Sequence, residues 1–201
     1  MAEARPSLKR FADGKKRCGW LGEDKLYVDY HDREWGVPLK DERALFELLC
    51  LEGQQAGLSW FIVLRKRENY RKAFAKFDPK KIARFGAKDV ERLVKDEGII
   101  RHRGKIEAII ANAKAVLALH QQGTSLSELV WGMVGGKQQH NKIKSLKDIP
   151  TQTEASTALS KALLAAGFKF VGPTTCYAFM QAAGLVDDHV KGCLKGSWRS
   201  K

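Results

Sequence analysis

Four side chains capable of ligating a metal lie toward the two ends of the chain: Cys18, His31, His189 and Cys193. His189 and Cys193, three residues between them, put two donors on one side of a single turn. Together the four make a Cys2His2 set, the tetrahedral complement of a closed structural zinc site. Such a site would clip both ends of the fold together and add its binding energy to folding. The spacing lacks a Cys-x2-Cys pair, so two buried cysteines and two surface histidines fit the pattern as well. The other cysteines read differently: Cys50 sits amid Leu48, Leu49 and Leu51, and Cys176 falls inside a helical stretch, as small core residues do. His102, His120 and His140 lie in polar, basic surroundings and read as solvated.

A second chemistry is offered by one acid among rings. Trp20, Tyr27, Tyr30 and Trp35 crowd one short segment, and Trp60 follows the stretch Glu52-Gly53-Gln54-Gln55-Ala56-Gly57-Leu58-Ser59. Aromatic faces beside a glycine-flanked carboxylate suit a flat base held between rings. Glu52 falls at the end of an apolar helix, where an unpartnered charge is costly to bury. The plain alternative is a helix-end glutamate beside core aromatics.

A third signal is Gly167-Phe168-Lys169-Phe170-Val171-Gly172-Pro173-Thr174. A glycine-permitted turn feeding a helix aims backbone N–H groups at the positive end of the helix dipole, where phosphate binds, and Lys169 adds charge. An ordinary turn between two helices has the same spacing. The pattern also resembles the helix-hairpin-helix motif, which grips the DNA backbone without reading sequence.

The elements that must position these groups read as helical throughout. Asp41 caps a helix carrying Leu45, Phe46, Leu48 and Leu49; a second runs from Leu58 to Phe74. Asp78-Pro79 opens a short helix, and Asp89 to Glu97 forms another. Lys105 to Gln122 is the clearest, with Ile106, Ile109, Ile110, Ala113, Val116 and Leu117 on one stripe. Ser125 and Glu128 form a capping box for a helix through Val134, residues 135–149 read as a polar loop, and Thr153 to Ala166 and Thr174 to Ala183 complete the set. No sustained alternation competes, so the expected class is all-α.

The 201 residues carry 36 Lys+Arg against 23 Asp+Glu, a net charge of +13, with 44% hydrophobic residues. That content supports a packed core, and the charge balance suits a polyanionic partner. No apolar run reaches membrane-spanning length and the N-terminus lacks a secretory pattern, so a reducing, cytoplasmic setting is expected. Expected boundaries are a flexible basic tail over 1–16, a folded domain over 17–194 and a basic tail over 195–201.

The strings Arg17-Cys18-Gly19-Trp20, Tyr30-His31-Asp32-Arg33-Glu34-Trp35-Gly36-Val37-Pro38, Leu51-Glu52-Gly53-Gln54-Gln55-Ala56-Gly57-Leu58-Ser59-Trp60 and Gly98-Ile99-Ile100-Arg101-His102-Arg103-Gly104-Lys105-Ile106 are long and distinctive. With Gly167 to Gly172 and Asp188-His189, they closely resemble the 3-methyladenine DNA glycosylase I family over about residues 17–194. The resemblance implies a helix-hairpin-helix glycosylase fold with a structural Zn2+ on Cys18, His31, His189 and Cys193. It implies a base pocket at Glu52, Tyr30, Trp60 and Trp20, with Trp35 nearby. The implied activity is monofunctional release of 3-methyladenine, and less readily 3-methylguanine, from alkylated double-stranded DNA by a monomer, leaving an abasic site.

A base methylated at N3 is cationic, so its glycosidic bond is already weakened and recognition carries much of the load. Glu52 is then the candidate catalytic group, Trp60 and Tyr30 the cation–π partners. Leu58 after Gly57 is the candidate wedge into the duplex, and Lys169, Val171, Gly172 and Thr174 the backbone contacts. Most helix-hairpin-helix glycosylases carry a catalytic aspartate after the hairpin; Asp187-Asp188-His189 lies in about that region, but no catalytic role is carried onto Asp188, which fits a bond to His189 at least as well. A DNA-binding module without chemistry would leave the acid among aromatics without purpose. A zinc hydrolase would need an open coordination position, which four protein ligands do not leave.

Overall fold

The structure, a computed structural model, describes residues 6–196. Helix starts follow from the side chains that satisfy the first free N–H groups. Asp24 caps the short α1 (Lys25–Arg33), and Asp41 accepts from the Ala44 N–H at 2.9 Å to open α2 (Glu42–Gln55). Ser59 precedes α3 (Trp60–Ala73), Asp78 caps α4 (Pro79–Ile82), and α5 is Ala87–Val94. His102 caps α6 (Arg103–Gln121) through Nδ1, the Ser125–Glu128 capping box starts α7 (Leu126–Gly132), and Thr153 caps α8 (Glu154–Ala165). Gly172 and Pro173 start α9 (Pro173–Ala182).

The described residues are mostly helical, as expected, with helix bounds within two or three residues of the sequence reading except at α1. That helix has no simple apolar stripe: Tyr30 and His31 are its buried residues, while Leu26 is exposed. Two short strand pairs also went unread. β1 (Leu8–Arg10) pairs antiparallel with β2 (Lys16–Cys18), and β3 (Gln139–His140) pairs parallel with β4 (Val186–Asp187). Residues 6–16 therefore do not stand apart as a tail. Asp13-Gly14, with Gly14 at φ 76°, is the turn signal that folds them back, and Leu8 lies opposite Cys18. Of the expected tails over 1–16 and 195–201, residues 1–5 and 197–201 fall outside the described residues.

The core divides in two. The larger cluster is built from α2, α3, α6, α8 and α9, with Leu45, Phe46, Ile106, Val116, Leu159, Phe179 and Met180 buried. A smaller one gathers Cys18, Tyr30, Trp35, Leu64, Ile143, Ala182, Val190 and Cys193 from distant parts of the chain. No described helix is long and apolar enough to cross a membrane.

Candidate active site and metal centre

The acid and the rings meet at one cavity of about 290 Å³, lined by Trp20, Tyr27, Tyr30, Trp35, Glu52 and Trp60 together with Gln55, Ile149, Ala178 and Gln181. Glu52, in the last turns of α2, is 4% exposed, and its carboxyl makes no hydrogen bond or ion pair to another described residue. Burial alone pushes its pKa up to about 8, which favours the neutral acid. Tyr30 is raised as well, by burial first and then by the Glu52 charge.

The rings form walls rather than a pair of jaws. Tyr30 and Trp60 abut at 5.5 Å between centroids and 43° between planes, too close to admit a base between them. Trp20 meets Trp35 edge-on at 5.1 Å and Tyr27 at 5.4 Å. The Trp60 indole Nε1–H is buried without an acceptor among the described residues.

Trp35 links this cavity to the second site, its ring meeting His189 edge-on at 4.6 Å. There the donor atoms of Cys18, His31 and Cys193 lie within 4.8 Å of one another, with Cys193 Sγ 3.5 Å from His31 Nε2. The His189 ring stands perpendicular to that of His31 at 5.1 Å, and its Nε2 is buried with no hydrogen-bond partner. Both imidazoles are oriented by carboxylates: His31 Nδ1 lies 2.8 Å from Asp32, and His189 Nδ1 lies 2.7 Å from Asp187. This commits each Nδ1 and leaves each Nε2 lone pair available, the state a ligated histidine needs. His31 Nε2 faces Cys193 Sγ, while His189, the fourth expected ligand, borders the group of three without joining it. Of the two thiols, the Cys18 S–H donates to Cys193, which lowers the Cys193 pKa and raises that of Cys18. Buried Arg17 ties the cluster to the hairpin, donating to Asp32 at 2.7 Å and to Asp13 at 2.8 Å.

A family model described as methyladenine glycosylase matches residues 20–196. The chain belongs to this family. It is 60% identical over 178 residues to DNA-3-methyladenine glycosylase 1 of Escherichia coli (strain K12), covering 89% of this chain and 95% of that one. A crystal structure of 3-methyladenine DNA glycosylase I superposes with a TM-score of 0.89 at 59% identity, over 90% of this chain and 99% of that one. A Staphylococcus aureus 3-methyladenine DNA glycosylase I, described for its recognition of 3-methyladenine, gives 0.87 at 40% identity, over 96% and 100%.

Beside the residues expected from sequence, the cavity recruits Gln55, Ile149, Ala178 and Gln181, and it adds Tyr27 as a lining ring. Ala178 and Gln181 stand one turn apart on α9, a signal that helical spacing alone could not tell from core. Asp188 does not orient His189; Asp187 does, through both Nδ1 and the backbone N–H. Fully buried Asp188 instead accepts from Asn141, Tyr177 and Gln181 at 2.6–2.7 Å, so it props the cavity wall through Gln181.

The segment joining α8 to α9 packs on the end of α2. Phe170 has φ 56° and lies so near that a Cβ on Gly53 would come within 3.2 Å of the Phe170 Cβ. The Lys169 N–H is not free for phosphate: it donates to Asn112 Oδ1 at 2.7 Å, while the Lys169 carbonyl accepts from Asn112 Nδ2. Val171 is buried, and its carbonyl accepts from the Cys176 thiol, so its side chain offers DNA nothing. Gly172, Thr174 and the Lys169 side chain are exposed. At the end of α2, Leu58 N–H donates to Gln55 C=O at 2.7 Å across Ala56 and Gly57 (φ 78°), a type II turn whose third residue must be glycine-like. Leu58, the last residue of the turn, is 37% exposed.

Proposed function

We propose that this protein is a monofunctional DNA-3-methyladenine glycosylase acting as a monomer on alkylated double-stranded DNA. The observation that carries this reading is a single buried carboxylate, Glu52, in a ring-walled cavity of base size in a chain of net charge +13. An uncharged base gains little from such a pocket. A base methylated at N3 brings a positive charge, which draws the Glu52 pKa down until the carboxyl ionises and accepts from the adenine amino group. The same cation stacks on the faces of Trp20, Trp60 or Tyr30, where neutral adenine gains less. Trp60 Nε1–H is a further donor for the base edge. Water adds to C1′ as the C1′–N9 bond breaks, the bonding pair neutralises the departing base, and the proton from water leaves to solvent. 3-Methylguanine, which lacks the amino group at that edge, is the lesser substrate.

Leu58 enters the space left by the displaced nucleotide, and the exposed Lys169, Gly172 and Thr174 carry the phosphate backbone beside the start of α9, as a helix-hairpin-helix motif does. The Cys18, His31, His189 and Cys193 donors fit a Zn2+ ion: the set is tetrahedral in number, suited in kind, and includes a buried Nε2 that no group among the described residues satisfies. Bound there, zinc supplies structure rather than chemistry, since four protein ligands leave no position for water. The test is incubation with methylated duplex DNA and chromatography of the released base. Wild type releases 3-methyladenine, and Glu52→Gln keeps the fold but loses about a hundredfold in rate. Release at the wild-type rate by Glu52→Gln would remove Glu52 from its role.

A further inference from the structure

Lys105, near the start of α6, is 7% exposed and pairs with no carboxylate among the described residues. A buried ammonium without a counter-ion is costly, and burial draws its pKa down. Its Nζ donates to the Gln54 carbonyl at 2.8 Å and to the Ala56 carbonyl at 2.6 Å. Those are carbonyls at the C-terminal end of α2, which no further helical turn can satisfy and where the helix dipole favours a cation. The tie is reciprocal, because Gln54 Nε2 donates back to the Lys105 carbonyl at 3.0 Å. Tyr70 then extends the brace, its hydroxyl donating to Gln54 Oε1 at 3.0 Å and accepting from the Ile100 N–H at 3.0 Å. On the other side of Lys105, its own N–H donates to His102 Nδ1.

An ordinary helix end needs none of this. Here the gripped carbonyls flank Gln55, the first residue of the turn, and Ala56 is its second. Gln55 ties the turn again by donating from Nε2 to the Leu58 carbonyl at 2.7 Å. We propose that Lys105 is a positioning residue for base displacement: by gripping Gln54 and Ala56 it fixes the 55–58 turn, so that Leu58 meets the duplex already in its inserting position. This rests on the reading of Leu58 as the wedge. A leucine on a loose loop would lose conformational freedom on every insertion; on this turn the ordering is complete before DNA arrives.

Three variants test it: Leu58→Ala, Lys105→Met and the double variant. Two measurements are made on each, affinity for free 3-methyladenine by tryptophan fluorescence and release of 3-methyladenine from alkylated duplex DNA. The expected result is that Lys105→Met binds the free base as wild type does but loses about 10- to 100-fold in release from duplex, the scale of a small misplacement. The double variant should fall no further than Leu58→Ala alone, since a brace has nothing to position once the wedge is gone. Equal losses in free-base affinity and duplex release, or losses that multiply in the double variant, would overturn the proposal in favour of a general structural role. If Leu58→Ala keeps full duplex activity while Lys105→Met loses it, the wedge reading fails and the role given to Lys105 fails with it. If Leu58→Ala is impaired and Lys105→Met is not, the wedge stands and the brace alone is refuted. Lys105→Gln, which keeps one donor to the two carbonyls, takes the same test should the methionine variant fold poorly.

Discussion

The two hydrophobic clusters are held together by different physics. The large one is apolar side chains from α2, α6 and α9 packed at helical spacing, and its stability grows with the area taken out of water. The small one is gathered from residues scattered between Cys18 and Cys193, and its interior holds two imidazoles, two thiols and a buried guanidinium. Area burial cannot stabilise that set by itself, because each polar group must find a partner. Asp32, Asp187 and Asp13 supply most of them, and the His189 Nε2 waits for one. The large cluster makes the fold; the small one aligns the wall of the ring-lined cavity through Trp35.

The comparison can be broken in three ways. The largest effect is expected in the big cluster, where Phe46→Ala should cost about 3–5 kcal/mol in urea unfolding. That cost should be the same with and without a metal chelator. Next, zinc removal by chelation should lower wild-type stability by about 3–4 kcal/mol relative to zinc present in large excess over its Kd. Cys193→Ala should show little of that response, read by the melting temperature and by elemental analysis. A wild-type protein purified without metal, and indifferent to added zinc, would reduce the small cluster to an ordinary polar core.

The smallest effect concerns the carboxyl between the two regions. Unfolded, a glutamate ionises near 4.5, whereas Glu52 keeps its proton up to about 8. The fold is therefore unburdened below about pH 4.5, loses stability as pH rises through that interval, and carries the full cost above about pH 8. Ionising the buried carboxyl costs about 4 kcal/mol at pH 8, and an unpartnered amide in its place costs about 1–3 kcal/mol. Glu52→Gln should therefore be more stable than wild type by about 1–3 kcal/mol at pH 8, with the difference shrinking toward pH 5. Urea titrations at the two pH values give the answer, and a variant less stable at pH 8 would show that Glu52 is better solvated than its burial implies.

The same contrast explains what the sequence made legible. Helical periodicity in α2 and α6 and the caps at Asp41, Asp78 and Ser125 were readable because they are local. The candidate metal ligands and Glu52 are legible by residue type, although spacing alone leaves them ambiguous without the family strings. α1 escaped because its inward face consists of Tyr30 and His31 rather than aliphatic residues. The Asp13–Arg17–Asp32 tie, the choice of Asp187 over Asp188 beside His189, and the entry of Gln181 into the cavity all depend on approaches between distant segments. No local pattern announces them.

His31 and Cys193, in contact here, are separated by 162 residues of chain. Bringing such distant points together in an otherwise unfolded chain would cost about 4–5 kcal/mol in closure entropy. Once the helices of the large cluster have docked, the two ends are already neighbours and the cost has largely been met. The kinetic consequence is an order of events: the helical body assembles from near-neighbour contacts, and the join between the ends closes last. Opening should run in reverse, so backbone amides of α1 should exchange with solvent sooner than those of α6.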